Sequence, residues 1–121
     1  MQNFTGFSPQ FTTLRQLMRE IDLFLIAVMR AMGAENWYKD SRGDRAAYWI
    51  PSKRARVGLH WGERFADPTG QDLLVVEGEG KPGITIASLG EVVKDSQRYK
   101  AEGRLGEFIN LMAQRILQSI E

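Results

Sequence analysis

The spacing of apolar residues along this chain changes twice. From Leu14 to Met32 they fall at Leu14, Leu17, Met18, Ile21, Phe24, Leu25, Val28 and Met32. Steps of three and four predict an amphipathic helix. Thr12 or Thr13 can cap its start, and Gly33 suits the position just past its end. From Ala46 to Ala87 the pattern becomes short runs and strict alternation, which predicts strands. AAYWI at 46–50 is the first, Arg54 to Phe65 the second, Leu73 to Glu77 the third and Ile84 to Ala87 the fourth. Helical spacing then returns. Ser88 and Glu91 match a capping box for a helix to about Lys100, with Leu89, Val92, Val93 and Tyr99 inward. Gly103 ends it, and Leu105, Phe108, Ile109, Met112, Ile116 and Ile120 form the stripe of a terminal helix.

The connections decide how the strands pair. Pro51-Ser52-Lys53 is too short for a crossover, so the first two strands form a hairpin. Asp67-Pro68-Thr69-Gly70 has turn chemistry, and residues 78–83 are a glycine-rich loop. The expectation is an α+β two-layer domain: an N-terminal helix, a four-stranded antiparallel meander sheet and two C-terminal helices on one sheet face. Residues 1–10 read as an extended arm, either pinned by Phe4 and Phe7 or, as the stronger expectation, a loose terminus whose aromatics patch the core edge, and 11–121 as a single domain. Glu35 to Arg45 is a connector in which Trp37 and Tyr38 begin a short strand or cover the core rim.

The stretch Arg54 to Phe65 organises this picture. Ala55, Val57, Leu59 and Trp61 point one way, and Arg54, Arg56, Gly58, His60, Gly62 and Arg64 the other. The outward set carries three arginines and the chain's one histidine, with glycine gaps between them. Guanidinium groups fork onto phosphate or carboxylate oxygens, and Tyr48, Trp49 and Trp61 are interleaved nearby. Lys53 stands at the strand's entrance, and Arg42 and Arg45 lie on the preceding connector. Arg42, Arg45, Lys53, Arg54, Arg56, His60 and Arg64 are therefore the expected binding set for an anionic partner, either nucleic acid or an acidic protein surface. The bland alternative is a solvated face whose arginines pair with Glu63, Asp67, Glu77 or Glu79.

Composition narrows the classes. Sixteen basic and fifteen acidic residues leave a net charge of +1, so only a local cluster can attract a polyanion. There is no cysteine, which excludes disulfides and thiolate metal sites. His60 and Glu63 sit on opposite faces of a regular strand and cannot chelate together. No metal, cofactor or catalytic residue is expected. No signal peptide or membrane span is read from the chain, and a cytoplasmic location follows as the expectation.

Two other readings arise. Leu23, Ile26, Ala27 and Met29 make the second half of the first helix apolar almost all round. That helix is either central in the fold or paired with a second copy, with Leu23, Ile26, Met29 and Arg30 at a homodimer interface. Separately, Glu79-Gly80-Lys81 with Asp67 or Asp72 upstream resembles the acid-x-lysine pattern of magnesium-dependent restriction-type nucleases. The triplet falls in a loop rather than on a strand, which departs from that pattern. The same loop fails as a P-loop, since Val75 stands where the first glycine belongs and Pro82 follows Lys81.

Overall fold

The computed structural model describes residues 3–8, 13–39, 46–60, 73–78 and 84–120, with the backbone alone at 14, 46, 59, 60 and 73–78. Three helices, α1 (Leu14–Ala31), α2 (Leu89–Ala101) and α3 (Leu105–Ile120), pack with an antiparallel sheet. Its strands are β1 (Tyr38–Lys39), β2 (Ala46–Ile50), β3 (Ala55–His60), β4 (Leu73–Gly78) and β5 (Ile84–Ser88), in that spatial order. The expected α+β meander with one leading and two trailing helices is what forms. It gains a two-residue edge strand, because the connector after α1 runs back along β2.

The helix ends follow from their residues. Thr13 caps α1 by accepting the Gln16 amide at 3.1 Å. At the other end Gly33 has φ +79°, its amide donates to the Arg30 carbonyl and the Ala34 amide to that of Met29. This is a Schellman closure, which a left-handed glycine makes without Cβ strain. The pattern repeats after α2 with Gly103 and Arg104, donating to Lys100 and Tyr99. Ser88 Oγ accepts the Glu91 amide at 3.2 Å, so the Ser88 half of the capping box forms.

The core lies between α1, the other helices and one sheet face. Leu17, Ile21, Phe24, Leu25, Val28, Met29 and Met32 of α1 are buried, and α1 packs on α3 and β2. From the sheet, Tyr48, Ile50, Val57 and Ala87 enter the same cluster. Register explains the sharing of a face: Tyr48 lies opposite Val57, and Ile50 opposite Ala55. Alternation therefore sends Ala55 and Val57 inward, as the sequence requires. Each fully buried Leu, Ile or Met contributes roughly 1.5–3 kcal/mol relative to an exposed one.

The arm joins this core. Phe7 is 2% exposed. Phe4 and Phe7 meet each other at 5.2 Å and Phe24 at 5.5 and 5.6 Å between ring centroids. Polar contacts fix the strand of chain in place. Glu20 Oε1 accepts both the Ser8 amide at 3.0 Å and the Ser8 hydroxyl at 2.6 Å, while Gln97 donates to the Ser8 carbonyl. Gly6 is buried at φ +106° against Lys100.

Candidate binding site at the β1–β2 end of the sheet

β2 and β3 alternate, so each has a side chain row turned away from the helices. Trp49 lies between the core residues Tyr48 and Ile50 and is therefore on that outer face. In register it is flanked by Tyr38 of β1 and Arg56 of β3. Tyr38 is 63% exposed, and Trp49 and Arg56 are half-buried. One step further along the strands Ala47 lies opposite Gly58, and both are buried. Among the described side chains of β2 and β3, the accessible part of the outer face thus lies at the β1–β2 end, and Thr85 of β5 is exposed at the opposite edge.

The hairpin connection sits at this same end. Pro51–Lys53 form one tight helical turn, closed by the Arg54 amide donating to the Pro51 carbonyl at 3.2 Å. Arg54 takes φ 50° and ψ 45°, the left-handed region, and is exposed. A cavity of about 440 Å³ opens beside it, lined by Gly33, Glu35, Asn36, Tyr38, Pro51, Ser52 and Lys53.

The face beneath is electrostatically closed. Asp22 of α1 accepts from the Tyr48 hydroxyl at 3.0 Å and from Lys39 Nζ at 3.1 Å. Burial first, then the Asp22 charge and its hydrogen bond, push the Tyr48 phenol well above the usual tyrosine range. Lys39 is thereby tied to the core side of the edge strand, leaving Tyr38 to face outward.

The expected binding row is rearranged. Arg54 leaves it, because the tight turn takes up this residue and β3 begins at Ala55. Lys53 is likewise in the turn. Arg56 keeps its place on the outer face, but it lies opposite Glu77 in register and is already engaged. His60 ends β3, with only its backbone described, and Arg42, Arg45 and Arg64 lie outside the described residues. Of the predicted set, Lys53, Arg54 and Arg56 share one end of the sheet. Tyr38, Glu35, Asn36 and Ser52 were missed as site residues. Trp37 is half-buried against the core and Tyr38 and Lys39 are exposed, so no alternation in the sequence signalled them.

For the second helix surface, Met29 is fully buried, so it belongs to the core and not to an open face. Ile26 packs against the core, Leu23 is half-buried, and Arg30 is exposed and already engaged. Of the residues that make the second half of α1 apolar all round, Met29 alone is fully buried, while Leu23, Ile26 and Ala27 are half-buried. The nuclease-like residues Asp67, Asp72, Glu79 and Lys81 lie outside the described residues, as does Glu63. Among the described residues no cluster of three or more His, Asp or Glu side chains is placed to hold a metal, and no helix is long and apolar enough to cross a membrane. No protein-family model matches the chain, and no curated protein or solved structure matches it.

Proposed function

We propose that this protein is a non-enzymatic binding module that engages an anionic partner at the β1–β2 end of its sheet. Single-stranded nucleic acid is the class that the residue types favour. One observation carries this reading: an exposed tyrosine and a half-buried tryptophan lie side by side in register, next to Lys53 and Arg54. Aromatic faces stack bases irrespective of sequence, and flanking cations meet the phosphates. An acidic protein surface would have use for the cations but not for the rings.

The number of available cations sets the expected salt response. Among the described residues Lys53 and Arg54 are the available cations at this end; they neutralise about two phosphates, and single strands lose roughly 0.7 in logarithmic slope per phosphate. Fluorescence anisotropy of a labelled single-stranded oligonucleotide should therefore show a slope near about −1.4 against log salt. Substituting Lys53→Ala and Arg54→Ala together should flatten it. Tyr38→Ala should weaken binding by roughly 1–3 kcal/mol with the slope unchanged. Affinity that ignores all three substitutions would refute the assignment of this end of the sheet.

A further inference from the structure

The cavity beside Tyr38 holds an unusual assortment of groups for one wall. Glu35, Asn36, Ser52 and Lys53 contribute a carboxylate, an amide, a hydroxyl and an ammonium, with Pro51 and the Tyr38 ring as apolar surfaces. Among the described residues none of these four side chains has a hydrogen bond or ion pair. Some polar groups elsewhere in the fold are paired, as are Asp22 with Lys39 and Tyr48, Glu20 with Ser8, and Arg104 with Glu102 and Glu107. The volume of about 440 Å³ falls within the range for small-molecule sites, about 300–1,000 Å³.

We propose that this cavity receives a guanine base of the bound strand, read by Glu35 and stacked on Tyr38; the inference rests on the nucleic-acid reading above. A carboxylate only accepts hydrogen bonds, and its two oxygens suit a guest with two adjacent N–H donors. Two kinds of group offer that pair: a guanidinium or amidine cation, and the N1–H and N2–H edge of guanine. The neighbouring Lys53 and Arg54 disfavour the cation, since like charges in one site oppose each other. They favour a neutral base carried on a phosphate. Adenine offers an acceptor next to its amino group, which leaves one carboxylate oxygen facing a lone pair. Cytosine offers its amino donor beside a ring acceptor. Tyr38, 63% exposed, provides the ring face, and Lys53 meets the phosphate of the same nucleotide.

The test uses the full chain and three end-labelled RNA decamers at low salt, read by anisotropy: alternating guanosine–uridine, inosine–uridine and adenosine–uridine. The guanosine decamer should bind about tenfold tighter than the adenosine one, the discrimination of one good paired contact. Inosine lacks the N2 amino group and should fall between them. Glu35→Gln, at an exposed position, should bring the three affinities together. Equal binding of all three by the unaltered chain overturns the guanine site and leaves the binding module standing. Equal binding of inosine and guanosine, or a preference that survives Glu35→Gln, overturns the Glu35 contact. Binding of none overturns both readings.

Discussion

Arg54 permits a separation of fold from function. Among the described residues it is the one non-glycine with positive φ. A side chain in the left-handed region costs roughly 1–2 kcal/mol. Glycine removes that cost but loses more freedom on folding, about 0.5–1 kcal/mol. Arg54→Gly should therefore stabilise the protein by about 0.5–1 kcal/mol. Arg54→Ala keeps the strain, and an exposed arginine contributes little packing, so it should stay within about 0.5 kcal/mol of the parent. Both lose the guanidinium and should bind nucleic acid equally poorly. The assay is urea unfolding followed by far-ultraviolet circular dichroism, with anisotropy in parallel. For a chain of this size the glycine variant should melt roughly 2–4 °C higher. Arg54→Asn should fall between, since asparagine tolerates this region better than alanine. Destabilisation of Arg54→Gly by more than about 1 kcal/mol would refute the reasoning, because the side chain would then be holding the turn. A strained residue retained for its side chain is an expected feature of a binding site.

Two further outcomes follow from the core side. The Tyr48 phenol is raised in the folded state, so above about pH 10 the unfolded chain releases a proton that the folded one keeps. Its contribution is whole below that pH and falls by about 1.4 kcal/mol per unit above it. Tyr48→Phe should cost roughly 1–2 kcal/mol at neutral pH and show a shallower alkaline loss of stability; parallel stability–pH curves would contradict this. In the arm, Gly6→Ala should cost roughly 1–2 kcal/mol, because its φ of +106° suits no other residue. The added Cβ would also lie 2.7 Å from Lys100 Cδ, but that flexible chain can swing aside. Adding Lys100→Ala should leave the loss in place, and faster amide exchange at residues 3–8 than in α3 should report it. A full rescue by Lys100→Ala would make the contact, not the backbone, the cause.

Most of the fold was legible because it rests on local signals that agree with one another. Thr13, Gly33, Ser88 and Gly103 mark helix ends through their own backbone chemistry, and the stripe of α1 matches its buried residues nearly one for one. The inward parity of Ala55 and Val57 was equally readable. Three things were not. Pro51-Ser52-Lys53 was recognised as a tight connection, but its helical closure draws in Arg54, and a residue outside the strand no longer obeys the strand's parity. The alternation predicts a gap for a guest at Gly58, yet Gly58 is buried opposite Ala47, a property of the assembled sheet. The two-residue β1 is too short to show a period. Its role depends on pairing with Trp49 and on Asp22, which is sixteen residues before Tyr38 and on another element.

The site's chemistry follows from which cations the fold leaves available. Lys39 is held by Asp22, and Arg56 is already engaged on the sheet. Among the described residues at this end Lys53 and Arg54 remain, placed together because a tight turn projects consecutive residues from the end of a hairpin. Two cations on a chain of net charge +1 give little long-range attraction for a polyanion. On the proposed function, affinity at this end of the sheet would then come largely from Tyr38 and Trp49 at short range. Stacking is insensitive to salt, whereas phosphate contacts are not. A module of the proposed kind would hold a short unpaired segment rather than a duplex, whose bases offer no free faces. The same proposal gives the carboxylate of Glu35 a use: beside a dense basic patch it would weaken binding, but beside two cations and a ring it would discriminate among bases.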